Sequence, residues 1–485
     1  MILGPEFLQL SAESETPCRK MQNTTIHAFA DPSPATRPLH VLRPEDLPAF
    51  LAGAGASWSG WLTASRFEAA LGELRLLPDM AGGIAGAVVG YGTEQSRKRL
   101  RFGLAKAVAS LPEGDWRLEG ALDRAERTEA ALGWLLAGYR FDRYRPQRKS
   151  PALPRLVCPD GLDPARLIAM AEGETLTRDL INTPAEDMGP EELEAAFLSL
   201  ANGFGAATEI IRGDDLLVRN FPMIHAVGRA SPRVPRLLDL RWGTAGPKLT
   251  LVGKGVCFDT GGLNLKPSTG MNLMKKDMGG AATVMGLARM IMALGLPVQL
   301  RVLVPAVENL VAGNALKPKD ILTSRKGLTV EVNDTDAEGR LVLADALAYA
   351  CEAAPDILIS MATLTGAARV AVGPDLAPYY TDDDALAQAL EAGAKAGFDP
   401  VWRMPFHDAY ETVIEPGIAD LDNAPGFGFA GSITAALFLR RFVEGPRYLH
   451  FDIYGHTPSD QPARPKGGVG QGARAILEGL DVLLG

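Results

Sequence analysis

Apolar residues recur at three- and four-residue spacing over Leu47 to Ala56, Lys98 to Leu111 and Ala121 to Leu136, the period of amphipathic helices. Leu39 to Arg43 and Ala85 to Gly92 instead read as short strands, the second rich in Gly, Ala and Val. After the Pro-rich stretch Asp31 to Pro38, this part of the chain is expected to form a small α/β domain. It ends at Arg145 to Pro154 (RPQRKSPALP), where basic residues and three prolines resist helix and sheet interiors and suit a linker. A helix from near Asp163 to Ile181 is expected to follow and to bridge to the next unit.

Beyond it, β-rich apolar runs at Leu249 to Val256, Val298 to Val304, Thr329 to Val332 and Ile357 to Met361 alternate with helical patterns at Gly280 to Leu294 and Leu341 to Ala353. Such alternation argues for a central sheet covered on both faces. The expected fold class is α/β, with a smaller N-terminal α/β domain over 21–150 and a linker and bridging helix over 151–181. A larger domain over 182–485 carries a central mixed sheet covered by helices.

Length and composition fit this division. A chain of 485 residues suggests two or three units, and 47% hydrophobic with 22% charged residues is ordinary for folded proteins. The balance of 49 basic against 58 acidic residues, −9 overall, opposes nucleic acid and anionic membranes as partners. Cys18, Cys158, Cys257 and Cys351 are scattered with no CxxC pair, which fits reduced thiols in the cytoplasm. No run of about 20 apolar residues and no secretory signal order is present. Met1 to Lys20 is irregular, and Met21 opens a more ordinary start, so residues 1–20 are read as a non-native or disordered beginning.

Candidate chemistry lies in two clusters. GKGVCFDTGGLNLKP, Gly253 to Pro267, places Lys254, Asp259 and Lys266 at and after the end of a buried strand, where α/β sheets put their sites. Gly261 and Gly262 permit backbone conformations that a Cβ resists. Asp277 follows in KKDMGGAA at a helix start, where an acid is favoured. In NDTDAEGRL, Asn333 to Leu341, an extended conformation would turn Asp336, Glu338 and Arg340 to one side. Four acids converging on one site need cations among them to stay ionised, and two divalent metals answer that need. Carboxylate ligands with few histidines suit Mg, Mn or Zn. The six histidines form neither HExxH nor HxxEH, so histidine-held one-metal peptidase motifs are absent.

Singly, each residue has an ordinary reading: a strand-end Asp as a turn former, a buried Lys as an ion-pair partner, Met274 as core. In combination the sequence closely resembles the leucyl aminopeptidase family, the M17 peptidases. The pattern GKGxxFDxGGxxxKP is matched by Gly253 to Pro267, DMGGAA by Asp277 to Ala282 and TDAEGRLxLADAL by Thr335 to Leu347. ATLTGA stands at Ala362 to Ala367, NTPxxDMxPExL at Asn182 to Leu193, and AGxITAALFL at Ala430 to Leu439. The similarity runs from about Asn182 to the C-terminus.

The resemblance implies a metal-dependent aminopeptidase that releases N-terminal leucine or other apolar residues from short peptides through a hydroxide bridging two metals. Asp259 and Glu338 would be shared between the ions, Lys254 and Asp277 would complete one, and Asp336 the other. Lys266 would stabilise the oxyanion and Arg340 would hold a bicarbonate acting as general base. Met274, Thr363, Leu364, Gly366 and Ala430 would lie at the pocket for the departing side chain. A homohexamer is implied as well. Asp334 stands where the family usually has Asn, Ser360 and Met361 replace the usual residues before ATLTGA, and Gly455 to Arg474 is longer than the usual ending. Two alternatives stay open: a two-metal phosphoesterase, and a non-catalytic DNA-binding or scaffold role.

Overall fold

Runs of aliphatic and β-branched residues build two large sheets, one for each half of the chain. The computed structural model describes residues 27–145 and 152–483. Residues 1–20, Cys18 and residues 146–151 of the expected linker lie outside the described residues.

The first sheet consists of β1 (Arg37–Leu42), β2 (Leu74–Pro78), β3 (Ile84–Gly90), β4 (Asp115–Glu119) and β5 (Arg155–Leu156), in the order β2-β3-β1-β4-β5. β5 comes after the proline-rich stretch and pairs with β4, so the chain returns to this sheet before leaving it. The expected helix Leu47 to Ala56 is two helices, Leu47–Gly53 and Gly55–Ala64, broken where Gly55 takes a φ of 74°. The expected helix Lys98 to Leu111 is reduced to Ala105–Val108, because Phe102 adopts a left-handed φ of 57° and buries its ring.

The larger sheet is assembled from β6 (Ala207–Arg212), β7 (Arg236–Trp242), β8 (Lys248–Gly253), β9 (Gly255–Asp259) and β10 (Gln299–Asn309), with more strands added later in the chain. After β11 (Ile321–Thr323) and β12 (Thr329–Glu331) come β13 (Ile357–Ala362), β14 (Ala377–Tyr380), β15 (Val401–Met404), β16 (Leu421–Asp422) and β17 (Arg447–Asp452). The order is β15-β14-β17-β13-β8-β10-β7-β6, with β9 also on β10, and parallel and antiparallel pairs are mixed. Thr329 to Val332, expected in this sheet, instead joins a small separate sheet β11-β12-β16.

The run Leu249 to Val256 is not one strand. It breaks at Lys254 into β8 and β9, which pair with successive halves of β10. Flanking glycines are required there: a Cβ on Gly253 would meet Ala281 Cα at 2.6 Å, and one on Gly255 would meet the Pro305 carbonyl at 2.6 Å. Lys254 N–H donates to Met361 O (3.0 Å) while its carbonyl accepts from Ala281 N (2.9 Å). These two bonds pin the break between β13 and the helix Gly279–Ala293.

The bridging helix, Pro164–Asn182, starts at Asp163, whose carboxylate accepts from Arg166 N (3.1 Å), with proline in the first turn. It crosses Gly279–Ala293 at Gly173 and Gly286, where a Cβ on Gly286 would meet Thr177 Oγ1 at 2.2 Å. Gly280, in the same helix, approaches β13 so closely that a Cβ would lie 2.1 Å from Met361 O. Gly280→Ala is therefore expected to destabilise the fold by about 1–3 kcal/mol, since backbone must move to admit the methyl group. Thermal midpoints of the metal-depleted protein measure this, and an unchanged midpoint would refute the close packing.

Candidate active site

Strand ends and helix starts converge on one cleft. Asp259 closes β9, and its Oδ1 accepts from Gly261 N (2.8 Å) and Asn309 Nδ2 (2.9 Å), the latter from the end of β10. Gly261 and Gly262 have φ of 87° and 66°, the left-handed region that the sequence leads one to expect of this loop. Asp277 follows the short turn Met274–Lys276 and precedes the helix Gly279–Ala293. Thr363 Oγ1 donates to Asp277 Oδ1 at 2.8 Å.

The segment Asn333 to Ala337 is held by Asn423, whose Nδ2 donates to Asp334 O (2.7 Å) and whose Oδ1 accepts from Asn333 N (2.8 Å). Thr335 Oγ1 donates to Gly261 O (2.6 Å), tying the two acidic loops together. Here the expected extended conformation is corrected. Residues 334–337 form a turn and Glu338 opens the helix Glu338–Cys351, so Asp336 and Arg340 are not neighbours on one strand face. Arg340 forms no ion pair among the described residues, and its Nε is buried without a hydrogen bond. Asp334, the departure beside the motif, spends one oxygen on Asp336 N (2.9 Å).

Ligand atoms of Asp259, Asp336 and Glu338 lie within 4.8 Å of one another. Lys254 Nζ stands 2.6 Å from Asp277 and 2.8 Å from Glu338, while Lys266 Nζ stands 2.8 Å from Asp259 and 2.5 Å from Asp336. Two ammoniums thus face four carboxylates. Neither Glu338 oxygen receives a directed hydrogen bond, although both are buried, and Asp336 Oδ1 is in the same state.

The titration behaviour reflects that imbalance. Burial, and then the Asp259 carboxylate, push Glu338 up to about 8 and Asp336 up to about 7. For Lys254, burial opposes its charge, yet Asp277, Glu338 and Asp259 outweigh it and hold the amine above the usual lysine range. Lys266 behaves likewise: burial is outweighed by Asp259 and Asp336. Arg340 is lowered to about 10 by burial. Buried carboxylates with excess negative charge and unbonded oxygens are the chemistry of a cation site, and hard divalent ions fit this donor set.

Around this centre the remaining predicted residues divide. Thr363 touches Asp277 directly, and Met274 is half-buried one turn before it. Leu364 N–H donates to Asp452 Oδ1 (3.1 Å). Gly366 opens the helix Gly366–Val372 facing open space, and Ala430, at a left-handed φ of 50°, caps the helix Gly431–Arg440. A Cβ on Gly431 would touch Ala367 Cβ at 3.4 Å, so these two helix starts adjoin.

Sequence reasoning missed the side chains that arrange this wall. Asp452, buried at the end of β17, accepts from Leu364 N, Thr365 N (3.0 Å), Thr365 Oγ1 (2.5 Å) and Ser432 Oγ (2.7 Å). Asn309 and Asn423 were missed too. The signal for Asp452 and Asn309 was their place at the end of apolar runs, the same signal that picked out Asp259; Asn423 had none.

Known proteins resemble both halves of the chain. Residues 175–477 match the family described as cytosol aminopeptidase family, catalytic domain, and residues 37–159 match M17 aminopeptidase, N-terminal domain. A probable cytosol aminopeptidase of Chlorobium limicola is 36% identical over 85% of this chain and 90% of its own length. Its counterpart in Caulobacter vibrioides is 40% identical over 73% of this chain and 75% of its own. The crystal structure of cytosol aminopeptidase from Coxiella burnetii superposes with a TM-score of 0.88 at 42% identity, over 94% of this chain and 99% of that one. The bottromycin maturation enzyme BotP, in complex with Mn, gives 0.83 at 31% identity, over 93% and 100%. With both domains matched in order around a buried acidic centre, the chain belongs to the cytosol aminopeptidase family, the M17 peptidases, and is a metal-dependent aminopeptidase.

Proposed function

We propose that the centre holds two divalent ions, Zn, Mn or Mg, and releases N-terminal leucine or other apolar residues from short peptides. The observation that carries this is Glu338: a buried carboxylate that receives no directed hydrogen bond and has the Lys254 ammonium 2.8 Å from one oxygen, among four acids that share two close ammoniums. Asp259 and Glu338 are assigned to both ions, Asp277 and Lys254 to one, the lysine as a neutral amine once the ions supply the positive charge that its ammonium otherwise provides, and Asp336 to the other. The Mn in the BotP complex supports a divalent ion of this kind here. Bound there, the ions supply the positive charge that polarises a scissile carbonyl and acidifies water.

The chain's own residues do the rest. Lys266 faces the reacting carbonyl with a permanent charge. Arg340, a guanidinium with its Nε unbonded, is suited to hold bicarbonate as general base, since no histidine is assigned to that task. Met274, Thr363, Leu364, Gly366 and Ala430 form the wall for the departing side chain, small and apolar enough to favour leucine. Carried with this reading are a homohexamer, a cytoplasmic location and the division into an N-terminal domain over 21–150, a bridge over 151–181 and a catalytic domain over 182–485. Two family matches over 37–159 and 175–477 support the division. The name cytosol aminopeptidase among relatives supports the location, and no helix among the described residues is long and apolar enough to cross a membrane.

Chelation tests the reading. Dialysis against a chelator is expected to abolish leucine p-nitroanilide hydrolysis, and added Mn or Zn to restore it, while p-nitrophenyl phosphate stays uncleaved throughout. Full activity in protein shown by elemental analysis to be metal-free would overturn it.

A further inference from the structure

The long ending Gly455 to Arg474 starts beside Thr363 and Gly279, and its stretch from Thr457 to Arg464 lies against the first domain. With the loop Lys98 to Arg101 and the segment after the helix Gly366–Val372 it encloses a cavity of about 370 Å³, lined among others by Lys98, Arg99, Arg101, Asp375, Gln461 and Arg464. Four cations there face one carboxylate, in a chain whose overall charge is −9. Two guanidiniums already share that carboxylate: Arg101 Nη2 lies 3.2 Å from Asp375 Oδ1, and Arg464 Nη1 bonds the same oxygen. One of their charges is therefore unmatched.

Three further facts point to a ligand. Arg464 is only 7% exposed, yet its Nε is buried with no hydrogen bond. A buried donor of this kind is costly to leave unpaired. The Arg99 side chain has neither ion-pair nor hydrogen-bond partner among the described residues, and the Lys98 ammonium has only an exposed pair with Glu94. Gln461, whose backbone bridges to Arg464 in both directions at 2.9 Å, adds an amide to the same rim.

We propose that this cavity between the domains binds a small phosphate-type oxyanion, as free phosphate or the phosphate of a small soluble molecule. Guanidinium forks match phosphate oxygens in pairs, and a tetrahedral anion offers oxygens to Arg99, Arg101 and Arg464 together, where a planar carboxylate offers two. The volume exceeds one phosphate and sits at the lower end of small-molecule sites. An anion there would tie the first domain's loop to the segment that follows Gly366–Val372, and so to one wall of the proposed substrate pocket.

Isothermal titration of the metal-loaded protein with inorganic phosphate, and in parallel with acetate at matched ionic strength, tests this. Saturable phosphate binding with no acetate signal is expected. Arg99→Glu, an exposed residue with no partner to lose, should weaken phosphate binding about tenfold or more, and Arg464→Gln should do the same. Absence of saturable phosphate binding, or equal affinity in the wild type and Arg99→Glu, would overturn the proposal, the second by placing the anion elsewhere.

Discussion

Glu338→Gln is expected to lose metal and at least about three orders of magnitude in turnover while gaining stability as a metal-free protein. Supporting groups around a metal are each worth about 10–100-fold in affinity or activity, and Glu338 is assigned as a ligand to both ions, so its loss must exceed that. The gain in stability follows from the same environment. Glu338 is buried, both oxygens lack directed hydrogen bonds, and burial with the Asp259 carboxylate raises it from 4.5 to about 8. A carboxyl whose folded value is raised gives stability that is fully present below 4.5 and lost as pH rises through about 8. Metal-free wild type should therefore weaken across that window. The glutamine variant, fixed in the uncharged form at the same volume, should lack that contribution to the loss. Elemental analysis and thermal midpoints from pH 5 to 9 read both halves. A variant that keeps its metal and its turnover would remove Glu338 from the centre.

That trade of stability for function also explains which parts of the site were legible in the sequence. Glycines at fixed distances from acids and lysines betray a loop bent for a ligand, and Gly253, Gly255, Gly261 and Gly262 all sit where a Cβ would collide with backbone or where φ is left-handed. The helix Gly279–Ala293 and strand β13 were equally plain, because apolar residues dominate both, with Thr283 and Arg289 the polar positions of the helix and Ser360 that of the strand. β7 was hidden for a physical reason. Its sequence RLLDLRW carries Asp239, which is buried between Arg241 of the same strand (2.9 Å) and Arg301 on β10 (2.8 Å), and no local pattern reveals the cross-strand partner 62 residues away. The same holds for Asp452 and Asn423, which act on loops far from them in sequence. The extended reading of Asp336 to Arg340 failed because alternation of charge also occurs across a turn entering a helix, where an acid is favoured at the first position.

Position and charge together give Lys266 a different signature from Glu338. Its amine lies 2.8 Å from Asp259 and 2.5 Å from Asp336 with 15% of the side chain exposed, so it borders the cleft instead of lying beneath it as Lys254 does. Despite burial, those carboxylates hold it protonated well beyond neutral pH, which excludes it as a proton carrier and leaves its positive charge as its contribution. An oxyanion forming on the substrate carbonyl would draw the ammonium away from Asp259 and Asp336, an interaction absent from the ground state and therefore visible in kcat. Lys266→Ala is accordingly expected to lower kcat by about 10² to 10³, or roughly 2.7–4 kcal/mol, with KM little changed. Metal should be retained or bound more tightly, because removing one cation leaves Asp259 and Asp336 with more unbalanced charge for the ions to meet. Turnover and metal content measured on one preparation separate the two residues: loss of both together in Lys266→Ala would make this lysine a structural prop of the centre and not its oxyanion donor.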